Sequence, residues 1–186
     1  MAACCEMPGY EMKEAPWILA TVIALVAGLT DWRSRRIPNW LTIPGLVLGI
    51  VANSVATNWS GTKESLLGAG LGLALLLPFV VIRSLGAGDW KLVGAIGSCL
   101  GPHQLLTVLF ITILVNGLMA LAMIVWKKRL RQTARNVGHM LASLATLNLP
   151  GPELTLDNPQ AVKVPFGVAL AVAVMFCAAR HAWATF

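Results

Sequence analysis

Long uncharged runs of apolar residues, cut by short clusters of basic side chains, constrain this chain more than any other feature. Residues 15–30, 37–62, 65–82, 92–126 and 164–179 contain no Asp, Glu, Lys or Arg. A bilayer crossing needs about 20 mostly apolar residues. Inside lipid every backbone N–H and C=O has to be satisfied within the structure, which favours helices. The expected fold is therefore all-α, a polytopic membrane bundle of about six helices. Composition agrees, with 57% apolar residues, 12% charged and a mean hydropathy of +0.74.

The expected spans are 16–30, 40–56, 65–82, 90–100, 103–126 and 164–183, with Gly101-Pro102 as punctuation between the fourth and fifth. All seven tryptophans, Trp17, Trp32, Trp40, Trp59, Trp90, Trp126 and Trp183, fall at or beside these boundaries, as interfacial anchors do. Glu6, Glu11 and Glu14 precede the first span, unlike the basic start of a cleavable signal peptide. That span is expected to be retained behind an extracytoplasmic tail, 1–15, with 16–186 forming one integral membrane domain.

Loop charge sets the orientation. Arg33, Arg35, Arg36, Arg83, Lys91, Lys127, Lys128, Arg129, Arg131, Arg135 and Lys163 place 11 of the 14 basic residues on one side, which the positive-inside rule makes the cytoplasm. The long loop 127–163 then lies inside. Its segment 129–147 has the apolar spacing of a helix on the membrane surface or on the bundle, and 148–159 reads as an irregular connector. The cluster from Lys127 to Arg135 reads as an anchor facing anionic lipid. Because the net charge of +6 is confined to loops, a nucleic-acid partner is not expected. Cys4, Cys5, Cys99 and Cys177 form no CxxC pair, and His103, His139 and His181 are scattered, so neither a metal site nor a cofactor is expected.

Asp31 and Asp89 stand apart from the other acids. Asp31 closes the short first span and Asp89 opens the shorter fourth, both on the cytoplasmic side. Either alone reads as a solvated ion pair or helix cap. Two of them at membrane depth on one face are functional candidates. Gly86-Ala87-Gly88 before Asp89 lets the backbone turn tightly and approach another chain closely, and Lys91 stands where it can orient that loop. If the spans bring the acids within about 5 Å, an effective dielectric near 20 gives a repulsion of roughly 3 kcal/mol. Such a pair shares one proton, as in an aspartic protease: one acid activates water while the other protonates the carbonyl oxygen. Elsewhere, Thr21 and Thr112 are expected to bond their own helix backbones, Asn116 to bond between helices, and Pro78 to kink the third span.

At these positions the chain resembles the type IV prepilin peptidases, membrane aspartic proteases named for a Gly-x-Gly-Asp motif. Here the motif is Gly86-Ala87-Gly88-Asp89, with Lys91 where the family tends to have lysine. Asp31 precedes a basic turn ending in Ile37-Pro38-Asn39, and Val164-Pro165-Phe166-Gly167 is similar to the Pro-Phe-Gly that opens a late span of the family. The resemblance runs from about residue 16 to 183. It implies that Asp31 and Asp89 are the catalytic pair, with Gly86 and Gly88 positioning the loop. It further implies that leader peptides of prepilins or pseudopilins are cut at the cytoplasmic face of the bacterial inner membrane. Without paired cysteines for a cysteine-rich insert, the chain is similar to the short, peptidase-only branch of tight-adherence pilus systems. Two rival readings of the same acids are a cation- or proton-coupled transporter and a noncatalytic pilus assembly factor.

Overall fold

The computed structural model describes residues 8–35, 37–81, 85–126 and 165–184. The expected surface helix 129–147 and connector 148–159 lie outside the described residues, as do Arg83, His139, Cys4 and Cys5. Among the described residues every regular element is a helix: α1 (Pro8–Ser34), α2 (Asn39–Val81), α3 (Ala87–Trp126) and α4 (Phe166–Ala184). Four of them are long and apolar enough to cross a membrane, over Glu14–Ser34, Asn39–Val81, Ala87–Met123 and Phe166–Trp183. Four apolar helical elements thus stand where six spans are expected, because α2 and α3 each take in two of the expected spans on either side of a break. The first helix is also longer than expected, since it starts at Pro8 within the tail.

The two longest helices each contain a break. In α2, Thr57 and Asn58 leave helical geometry, Asn58 with φ 57°. The hydroxyls of Ser54 and Thr62 are 2.7 Å apart, although residues eight apart on a continuous helix are about 12 Å apart. The chain therefore doubles back. Gly101 does the same in α3, with φ +75°, a left-handed conformation that glycine adopts without steric cost.

That second break leaves carbonyls without their helical donors, because Pro102 has no N–H to give Ser98. The hydroxyl of Ser65 and the amide of Asn53 donate to the Ser98 carbonyl at 2.5 and 2.8 Å, and Asn53 also donates to Cys99 O at 2.8 Å. Polar side chains of α2 thus complete the backbone of α3 in a place where water cannot. Glycines permit the approach: a Cβ on Gly68 would strike the Gly97 carbonyl, and one on Gly49 the Ser98 hydroxyl. Small residues have this role in membrane bundles generally, since lipid supplies no hydrophobic drive between helices.

The first arm of α3, 87–100, is the centre of the molecule, with every residue from Leu92 to Cys99 buried. Around it pack Ala20, Ile23, Ala24 and Ala27 of α1, Leu105 and Val108 from the second arm of α3, and Leu170 and Val174 of α4. At roughly 20 Å this arm is too short for a lipid-facing crossing, and its burial in protein explains why it tolerates that length. Thr21 and Thr112 donate to the carbonyls of Trp17 and Val108 on their own helices, at 2.8 and 2.7 Å. Pro78 lies inside α2, and Asn116 Oδ1 is buried without a partner among the described residues. Five tryptophans are exposed, from Trp40 and Trp59 at 69% to Trp126 at 89%, whereas Trp17 is buried and Trp90 half-buried. The last two pack at least partly against protein.

Candidate active site

The site begins at the C-terminus of α1. Arg35 adopts φ 50° and donates its N–H to the Asp31 carbonyl at 2.9 Å, a left-handed cap that closes the helix. Asp31 thus lies on the last turn with its side chain directed inward, only 6% exposed. Its Oδ2 accepts the Gly167 N–H at 2.8 Å, and the Val168 N–H bonds the same carboxyl. Those donors are in the first turn of α4, where backbone N–H groups have no helical acceptor and the helix dipole presents its positive end. A Cβ on Gly167 would lie 3.0 Å from both Cβ and Oδ2 of Asp31. Only glycine leaves room for the carboxyl against that helix end.

Asp89 stands in the first turn of α3 and accepts the Gly86 N–H. A Cβ on Gly86 would come within 2.9 Å of Asp89 Oδ2, and one on Gly88 within 3.2 Å of the Ile37 Cβ and carbonyl. Neither glycine has a positive φ. The close approach expected of the motif is thus visible at both glycines, and neither needs a left-handed backbone to supply it. Lys91 Nζ donates to Asn39 Oδ1 at 3.1 Å. Trp90 donates its indole N–H to the Leu73 carbonyl at 2.7 Å.

These contacts gather the three singled-out segments at one end of the bundle. Gly167 meets Asp31, Ile37 meets Gly88, and Asn39 meets Lys91. Asp31 and Asp89 share that end and are close enough for the charge of one to act on the other. At the opposite end, His181 Nδ1 is 3.4 Å from Glu14 and its ring centroid 5.0 Å from that of Trp17, so α1 and α4 are pinned at both extremities. Sequence reasoning missed two features here. The sequence places Trp90 at a span boundary and offers Gly167 only within a motif. The indole bond joins residues 17 apart and the Asp31 bond residues 136 apart, and neither leaves a local signal.

Fold and site together define a polytopic helical membrane protein with two acids converging at one end of the bundle. Residues 18–121 match the model of the type IV leader peptidase family, and the chain belongs to that family. It is 29% identical over 132 residues to a "Prepilin leader peptidase/N-methyltransferase" of Xanthomonas campestris pv. campestris, an alignment covering 67% of this chain and 45% of that protein. The chain thus spans less than half the length of this relative. No solved structure matches it.

Proposed function

We propose that this chain is a membrane aspartic endopeptidase that removes the leader from prepilin-like proteins, with Asp31 and Asp89 as its catalytic pair. The observation that carries the reading is the convergence at one end of the bundle. Two acids 58 positions apart in a family of leader peptidases lie at that end, each against a glycine that leaves room for its carboxyl. Two neighbouring carboxyls suffice for peptide hydrolysis. One takes a proton from the attacking water while the other gives a proton to the carbonyl oxygen; the first then passes its proton to the amide nitrogen and the second takes one back from the adduct's hydroxyl as the C–N bond breaks, releasing the amine and the new carboxyl end. The substrate presents an extended leader junction next to its own apolar helix.

Each arm of α2 and α3 crosses the bilayer in this reading, so that α1, four arms and α4 alternate in direction. The acids then face the cytoplasm, on the side that carries Arg33, Arg35 and Lys91. Leader cleavage alone is assigned to this chain; N-methyl transfer, part of the relative's name, is not.

The test is cleavage of a co-expressed prepilin in membranes, with the new N-terminus read by mass spectrometry. Asp31→Asn and Asp89→Asn should each lower the rate about a thousandfold or more. Asparagine keeps an acceptor oxygen for the Gly167 N–H, so the Asp31 variant should still fold and insert. Processing by either variant within tenfold of wild type would overturn the assignment.

A further inference from the structure

We propose that Trp90 and Lys91 are positioning residues, a two-armed tether that holds Asp89 in register with Asp31. The proposal rests on the peptidase reading. Asp89 stands in the first turn of α3, and its backbone donor, Gly86, is three residues away. Such a local bond moves with the helix end and cannot fix it relative to α1. The two residues that follow supply the long-range restraint. Trp90 reaches the second arm of α2, where its indole donates to Leu73 O at 2.7 Å. Lys91 reaches the first residue of α2, donating to Asn39 Oδ1 at 3.1 Å.

Consecutive helical residues project about 100° apart, so the two arms pull on the first turn of α3 from different directions. Rotation of that turn about its axis, the motion that would swing Asp89 away from Asp31, breaks both bonds. Contact of Gly88 with Ile37 supplies a third point and sets how closely the turn approaches the strap joining α1 to α2. The indole bond is part-buried and the lysine bond exposed. The tryptophan arm is therefore the stronger, because a hydrogen bond shielded from water has less competition.

The experiment uses the full chain in proteoliposomes with a prepilin that wild type cleaves. Trp90→Phe, which keeps the ring and removes the donor, should lower kcat about tenfold with KM within twofold, since a displaced catalytic group costs chemistry rather than binding. Lys91→Met should cost about threefold, whereas Lys91→Arg and Asn39→Asp, which preserve the donor and the acceptor respectively, should each stay close to wild type. Thermal unfolding should stay close to wild type in all four. Wild-type kcat in both Trp90→Phe and Lys91→Met, or a loss confined to KM, would overturn the tether.

A second measurement does not depend on activity. Spin labels at exposed Arg33 and Ala87, in a background with the native cysteines replaced by alanine, should give a narrow distance distribution that broadens in the Trp90→Phe/Lys91→Met double variant. An unchanged distribution would likewise overturn the tether. A wild-type chain that fails to cleave any prepilin, or cleavage surviving Asp89→Asn, would instead overturn the peptidase reading.

Discussion

The two candidate catalytic acids are held by different means. Asp31 is fixed by backbone: its carbonyl is taken by the cap at Arg35 and its carboxyl by two N–H groups at the start of α4. Asp89 has a backbone bond only to nearby Gly86, and its helix turn is held by side chains, with Trp90 and Lys91 bridging to the two arms of α2. A backbone seat has few ways to relax, whereas a seat built from side chains can shift by rotamer changes. Damage near Asp31 should therefore cost both folding and activity. Damage near Asp89 should cost activity first.

Gly167→Ala puts the largest load on this contrast. The added methyl would lie 3.0 Å from Cβ and Oδ2 of Asp31, and the groups around it are the ends of two packed helices. Overpacking of that kind costs about 1–3 kcal/mol. Displacing the carboxyl from its helix N-terminus should lower cleavage about a hundredfold. Thermal unfolding in detergent and the prepilin assay check the two effects together. A variant that melts lower yet cleaves normally would show that the α4 seat is structural only.

Gly86→Ala sharpens the other half. Its methyl would come within 2.9 Å of Asp89 Oδ2 alone, the far end of a side chain that can swing aside. Stability should change by less than about 1 kcal/mol while kcat falls about tenfold. Gly88→Ala is the control, since its methyl meets the Ile37 backbone and Cβ at 3.2 Å and no carboxyl. It should melt lower than Gly86→Ala and retain more activity. Equal behaviour of the two variants would mean that Asp89 is as rigidly seated as Asp31.

How far the sequence discloses this arrangement follows from the range of each interaction. Asp31, Asp89 and the glycines before Asp89 are legible because local oddities mark them: acids at the ends of short apolar runs, and glycine beside one acid. The breaks at Asn58 and Gly101 fall where hydropathy divides the spans, and helix resumes so soon after each that four elements stand where six are expected. The first arm of α3 misled by its length, because the 20-residue rule describes helices that face lipid and Leu92 to Cys99 face protein. The inward turn of Trp90 depends on an acceptor that only tertiary packing supplies. Periodicity and charge patterns report the partner class a residue prefers, lipid or water or core, and carry nothing about a particular partner on another helix.

The smallest expected effect isolates the backbone side of the Asp31 seat. Arg35 holds φ 50° at the position where helices usually place glycine, and left-handed geometry costs an ordinary residue about 1 kcal/mol. Arg35→Gly should remove that strain and keep the N–H that bonds the Asp31 carbonyl, raising stability by roughly 0.5–1 kcal/mol. Arg35 is exposed, so little packing is lost with its side chain. Cleavage should stay within about twofold of wild type, because Asp31 is positioned by the α4 N–H groups and the cap geometry is unchanged. A marked fall in kcat at unchanged stability would show that the guanidinium acts on the acid directly, and the backbone seat would then be an incomplete account of Asp31.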